Sequence, residues 1–178
     1  MDDYPELSHL IAMVQHHDTH KKMLASEELK EYLSNPLSPL TADAIDCLVD
    51  NLKTWINSGN YKISASGLEL FTILVRRGGK SVKLNLNKVI PIIIDRLGDS
   101  KAVVRENSRL FLLELMNAMT PQAVLDMLIP AFSHKGYKVR EEVLTCLMDA
   151  INTFGVSKLS VSKFTPHICK LLGDANSQ

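Results

Sequence analysis

The chain has 178 residues, 46% apolar and 22% charged, and its 20 basic side chains balance 20 acidic ones. That length and apolar content predict one folded domain with a real core. A formal charge of zero excludes a general nucleic-acid binder, which draws its affinity from counterion release. Cys47, Cys146 and Cys169 form no CxxC pair and no disulfide framework, which points to a reducing compartment. No apolar run approaches the roughly 18 residues that cross a bilayer. Met1-Asp2-Asp3-Tyr4 lacks the basic and apolar regions of a signal peptide, so a cytoplasmic location is expected.

In chain order, the apolar spacing predicts a series of helical hairpins. The first runs from about Tyr4 to Leu33 and turns near His17–Lys21. Ser34-Asn35-Pro36-Leu37-Ser38-Pro39 is a two-proline break, after which Thr41 caps a helix. The second hairpin spans Thr41 to Arg77, turns at Asn57–Lys62, and ends at Gly78-Gly79-Lys80-Ser81. The third spans Asn85 to Met119. Its first helix carries the stripe Val89, Ile93, Leu97, with Pro91 expected in the first turn and Gly98 as the C-cap. Asp99 and Ser100 then cap the next helix, which carries Val103, Val104, Leu110, Phe111, Leu113 and Leu115. The fourth runs from Pro121 to Phe154, with Thr120 as N-cap and a turn at Ser133–Lys138. The fifth starts at Ser160, with a helix expected over 161–172, and stops at Gln178.

These hairpins repeat. Gly98-Asp99 is echoed by Gly173-Asp174, Pro91 by Pro166, and Val104-Arg105-Glu106 by Val139-Arg140-Glu141. The spacing of about 35–41 residues lies in the HEAT/armadillo range. No window alternates as a strand does. The expected fold is all-α: an α-solenoid of about four and a half stacked hairpins.

A solenoid lines up its internal turns along one edge. The first turn holds His16, His17, His20, Lys21 and Lys22 against Asp18; the second holds Asn57, Asn60, Tyr61 and Lys62. The third holds Lys101 beside Asp99, and the fourth holds His134, Lys135, Tyr137 and Lys138 with no acid. Acidic residues gather elsewhere, as in Glu27-Glu28-Glu31. One basic edge on a neutral chain suits an acidic protein surface. Trp55 continues the stripe Ile45, Leu48, Leu52 and reads as core rather than as an exposed anchor. Cys146 and Cys169 read as core thiols, and Arg105 and Arg140 as ties to a neighbouring repeat. His16 and His20 have no further ligands for a tetrahedral metal site. Arg77-Gly78-Gly79-Lys80-Ser81 lacks the earlier glycine of a phosphate loop, and no other enzyme motif is present. Neither an enzyme nor a cofactor is expected.

The run Ile94-Asp95-Arg96-Leu97-Gly98-Asp99, followed by Val104-Arg105-Glu106, resembles a TOG domain. With residues 55–62, 132–135 and 166–174 it is similar, more narrowly, to the first TOG domain of the CLASP family, the cytoplasmic linker-associated proteins. The resemblance implies a flat paddle of HEAT repeats. It implies binding to tubulin or the microtubule lattice, and a role in rescue and stabilisation at plus ends, spindles and kinetochores. It places the contact on the turn edge: His20, Lys21, Asn60, Tyr61, Lys62, Lys101, His134, Lys135, Tyr137 and Lys138. The first turn lacks the tryptophan usual in tubulin-binding members, which counts against strong binding to free tubulin and favours weak lattice contact, an unusual mode or a different partner. The alternative is a HEAT scaffold for a non-tubulin partner or for other TOG domains of a parent protein. A monomer is expected, and, from the unpaired last helix, a domain truncated at its C-terminal side with an exposed apolar face that Phe164, Ile168, Leu171 and Leu172 cover as far as they can.

Overall fold

The computed structural model describes residues 4–78, 82 and 86–173. Among these residues there are nine α-helices and no strand. They are α1 (Pro5–Val14), α2 (Thr19–Ser34), α3 (Ala42–Ile56), α4 (Tyr61–Gly78), α5 (Leu86–Leu97), α6 (Ala102–Ala118), α7 (Pro121–Leu128), α8 (Tyr137–Phe154) and α9 (Thr165–Leu171). Short 3₁₀ turns cover Ile129–Ser133, Val156–Lys158 and Val161–Lys163. The expected linker residues 79–81, the start of the third hairpin at Asn85 and the last turn at 174–178 lie outside the described residues.

The helices form two compact units, residues 1–92 and 93–178. In the first unit α1 packs on α2 and α3, and α4 packs on both α2 and α3. Its core is Leu10, Val14, Leu29, Leu33, Leu48, Leu52, Trp55, Leu68, Phe71 and Leu74. These recur at i, i+3, i+4 and i+7, which gives each helix one apolar stripe. Gly67 of α4 lets α3 come close: a Cβ there would lie 2.9 Å from Trp55 Cβ and 3.1 Å from the Ile56 nitrogen. Thr41 caps α3, its Oγ1 accepting from the Ala44 N–H at 3.2 Å.

In the second unit α6 and α8 pack side by side over α7 and the 3₁₀ turn after it. Val104, Phe111, Leu115, Leu125, Leu128, Phe132, Val143 and Leu147 form the core. Thr120 caps α7 with a 3.2 Å bond from the Ala123 N–H, and Pro121 follows it.

Several details depart from the sequence reading. Pro91 is inside α5, not in its first turn, because the helix begins at Leu86. Its missing N–H leaves the carbonyl four residues earlier without a helical bond, and the residue faces solvent. Gly98 follows α5 without the left-handed conformation of a C-cap glycine; Gly155, at φ 83°, is the positive-φ residue among those described. Gly98 is there for space, since a Cβ would meet Val139 Cγ2 at 2.7 Å. The helix expected over 161–172 is a 3₁₀ turn followed by α9, because Pro166 starts a new helix and cannot extend the previous turn. Phe164, expected to help cover the apolar face at this end, is fully buried against Phe132, with ring centroids 6.0 Å apart. Ile168 and Leu171 are half-buried, while Leu172 is 77% exposed. Cys169 is exposed rather than core, since it lies on the outward side of the short α9. Val103 and Leu110 also face outward; the buried stripe of α6 is Val104, Phe111, Leu112 and Leu115.

Candidate partner-binding turns

Each of the four hairpin turns is closed in the same way. The residue two places before the helix N-cap offers a side-chain acceptor to the N-cap amide. His16 Nδ1 accepts from the Asp18 N–H at 2.9 Å and Ser58 Oγ from the Asn60 N–H at 3.1 Å. Asp99 Oδ1 accepts from the Lys101 N–H at 2.9 Å, and His134 Nδ1 from the Gly136 N–H at 3.0 Å. Helices α6 and α8 begin without a side-chain cap, because their N-cap residues, Lys101 and Gly136, carry no side-chain acceptor. The expectation that Asp99 and Ser100 cap α6 is thereby corrected: the N-cap is Lys101, and Asp99 holds the turn before it.

In the first unit, α2 starts at Thr19, so His20 and Lys21 are in its first helical turn and the loop itself is residues 15–18. Asp18 caps α2 by accepting from the Lys21 N–H at 2.9 Å. That bond holds the Asp18 carboxyl below its ordinary range. His20 and Lys21 are both exposed. Beside them, Lys22 lies over the Trp55 ring at 5.8 Å from its centroid. Trp55 itself is 1% exposed, and its indole N–H donates to the Val14 carbonyl at 3.1 Å. The tryptophan is core, as the stripe on α3 requires. In the neighbouring turn, Asn60 Oδ1 accepts from the Lys62 N–H at 3.0 Å, and Tyr61 and Lys62 are exposed.

In the second unit two arginines repeat one arrangement. Arg105 Nη1 donates to the carbonyls of Asp99 (2.9 Å) and Ser100 (3.3 Å). Arg140 Nη1 donates to those of His134 (2.7 Å) and Lys135 (3.1 Å). Both are four residues after the N-cap, and both tie down the turn that precedes their helix. Arg105 also donates from Nε to Glu142 Oε1 at 2.8 Å, and Arg109 pairs with the other Glu142 oxygen. Arg105 therefore ties its own turn to the next hairpin, as read from the sequence. Asp99 Oδ2 accepts from Arg96 at 3.0 Å, and His134 Nε2 is 3.5 Å from Asp95 Oδ1. Lys101, Lys135 and Tyr137 are exposed; Lys138 and His134 are half-buried.

The ten candidate residues thus fall on four turns, two turns in each unit. His134 and Asn60 have structural duties in those turns. The sequence reading missed the acceptor role of His16 and His134. Its signal was available: a His, Ser or Asp two residues before each N-cap. Among the described residues, no three His, Cys, Asp or Glu side chains gather as a metal site would need.

A pattern of charge runs through these turns. Helices α2, α4, α6 and α8 have no acidic residue in the first turn, a feature shared with α5, α7 and α9, whereas α1 and α3 carry Glu6 and Asp43 there. Instead each has a lysine at or near its N-terminus: Lys21, Lys62, Lys101 and Lys138. A cation there opposes the helix dipole by about 0.3–1 kcal/mol.

The model of the XMAP215/Dis1/CLASP TOG domain matches residues 10–178. The chain belongs to this family. The TOG domain reading therefore holds, and with it the HEAT-repeat solenoid. Among curated relatives, CLIP-associating protein 1 of Xenopus tropicalis is 36% identical over 97% of this chain. CLIP-associating protein of Drosophila melanogaster is 36% identical over 95% of it. The chain spans about 12% of the length of each of these relatives. The solved MAST/Orbit N-terminal domain superposes with a TM-score of 0.87 at 35% identity, covering 93% of this chain and 74% of that one. A TOG domain of crescerin, a protein that regulates microtubules in the primary cilium, superposes with a TM-score of 0.75 at 28% identity, covering 94% and 69%.

Proposed function

We propose that this TOG domain binds the microtubule lattice through the lysine-bearing turns of α2, α4, α6 and α8, as a module of a CLASP-type microtubule-stabilising protein. The observation that carries the reading is the lysine at the start of all four helices, where a neutral or acidic residue would favour the fold. Lysines placed against the dipole suit a carboxylate-rich surface, and tubulin's is one. The turns supply them on backbones held by side-chain acceptors, so little ordering is left to do on binding. Tyr61 and Tyr137, 40% and 47% exposed at the first positions of α4 and α8, add flat contact area beside the charges. Each exposed ion pair contributes about 0.2–1 kcal/mol, so affinity requires several turns at once. Within the cell this reading places the domain on microtubules, including those of the spindle and at plus ends.

Cosedimentation with stabilised microtubules across a salt series tests this, with free tubulin on a sizing column beside it. Pelleting that weakens with salt, and weakens again in Lys101→Glu/Lys138→Glu, is the expected result. Binding unchanged in that double variant removes the turns from the interface. A second reading, a HEAT scaffold for a non-tubulin protein, is favoured by the first turn, which offers His20 and Lys21 but no exposed aromatic ring. Absence of pelleting at low salt would select it.

A further inference from the structure

We propose that Ser38 is a phosphorylation site for a proline-directed protein kinase, and that its phosphate locks onto Arg77 of α4. The chain holds three Ser/Thr-Pro dipeptides: Ser38-Pro39, Thr120-Pro121 and Thr165-Pro166. Two of them start helices. Thr120 is the N-cap of α7, its Oγ1 accepting from the Ala123 N–H. Thr165 is the first residue of α9, its Oγ1 donating to the Val161 carbonyl at 3.4 Å. Ser38 lies outside any helix, in the loop between α2 and α3, and no hydrogen bond among the described residues involves its hydroxyl. Ser38 alone of the three also has a proline two places before it, in Pro36-Leu37-Ser38-Pro39. The residue before a proline is pushed to extended backbone, the form in which a kinase cleft takes its substrate. Asn35, before Pro36, has that form at φ −81° and ψ 112°. Proline also lacks the N–H that an apolar pocket would leave unsatisfied, which is how such a kinase selects the position after its serine. Residues 34–41 carry no charge, so the prolines are the determinant on offer. Pro36 and Pro39 are exposed, and Leu37 between them is 89% exposed.

Beside this loop stands a cation without an acid. Arg77 Nη2 donates to the Ser38 carbonyl at 2.6 Å, and Nη1 donates to the Tyr32 and Leu33 carbonyls, each at 3.3 Å. Three of the five N–H donors of the guanidinium thus meet neutral oxygens. Among the described residues no Asp or Glu pairs with Arg77, whereas Arg96, Arg105 and Arg109 each pair with one. A serine Oγ is three bonds from its own carbonyl carbon, so a phosphate on Ser38 comes within reach of the guanidinium that already holds that carbonyl. In the transfer, Ser38 Oγ forms a bond to the γ-phosphorus of ATP. The bond from that phosphorus to the bridging oxygen breaks, ADP leaves, and the hydroxyl proton passes to the base of the kinase. The product brings about −1.5 to −2 charge and three acceptor oxygens, which suit the two N–H groups that Arg77 has left. The phosphate then ties the α2–α3 loop to α4, across 39 residues of sequence. This site stands independently of the microtubule reading.

The test is incubation of the purified, folded chain with a mitogen-activated protein kinase and Mg·ATP, the phosphate being located by fragmentation mass spectrometry. The expected product carries one phosphate, on Ser38, with Thr120 and Thr165 unmodified. Ser38→Ala should take up none, and Pro39→Ala should slow the reaction at least tenfold. Both changes lie in a surface loop, and melting curves check that the variants keep their fold. The lock is read by ³¹P NMR on the phosphorylated chain, without any change to Arg77. Pairing with the guanidinium should pull the second ionisation of the phosphate, ordinarily about 6, down by about half a unit or more relative to a synthetic phosphopeptide of residues 33–42. No phosphate on Ser38, a phosphate on Thr120 or Thr165 instead, or an equal rate in Pro39→Ala would overturn the site. A second ionisation equal to that of the peptide would overturn the lock.

Discussion

At the scale of single residues, Trp55 shows how a polar handle fixes an apolar side chain. The ring fills the core of the first unit, while its N–H satisfies the last carbonyl of α1. Trp55→Phe should lower unfolding free energy by about 1–3 kcal/mol in urea titration, from the lost bond and the smaller ring. Gly67→Ala should cost about 1–3 kcal/mol by the same measurement, because the added methyl meets the Ile56 backbone, which cannot rotate away. The cysteines differ in reactivity. Burial pushes the Cys146 thiol up to about 12 from its ordinary 9.0, whereas Cys169 is exposed. A thiol reagent at pH 8 should therefore modify Cys169 first and reach Cys146 only on unfolding. A raised acid pKa favours the neutral form in the folded state. The contribution of Cys146 to stability is thus complete below pH 9 and declines as pH rises toward 12, a decline that Cys146→Ala should reduce in alkaline urea titrations.

At the scale of elements, the pairing of α6 with α8 depends on Glu142, a buried carboxylate between Arg105 and Arg109. Arg105→Ala removes one partner of that charge and leaves two turn carbonyls unanswered, which should cost about 2–3 kcal/mol. In a double-mutant cycle with Glu142→Gln the two losses should not add, since they share one network. The hairpins themselves were legible from sequence, because each helix carries a single apolar stripe and Thr41 and Thr120 are strong caps. Arg105 and Arg140 were legible as structural ties from their 35-residue repeat. The beginning of α5 was not: Pro91 resembles a first-turn proline, yet packing of Val89 and Ile90 carries the helix back beyond it. The partner of Phe164 was not legible either, because Phe132 is 32 residues away and no local spacing announces the contact. The part His16 and His134 play in closing their turns was not legible either. In each of the two, Nδ1 accepts a backbone amide, a role that composition alone does not distinguish.

At the scale of the molecule, the candidate site consists of small, repeated contributions and not of one pocket. Reversing Lys21 and Lys62 in the first unit, or Lys101 and Lys138 in the second, should each weaken microtubule pelleting by about 0.4–2 kcal/mol at low salt, two pairs' worth apiece. The two effects should add in the quadruple variant if the turns act independently. The way each turn is closed explains why they would. The bond that shapes a turn comes from that turn's own acceptor, so losing His134 leaves the backbone around Asp99, Ser58 and His16 as it was. On the proposed reading, damage to such a surface would be graded, each mutation dimming the grip by one step without releasing it. A chain that bound this way could exchange its turn residues one at a time, and every intermediate would still hold on.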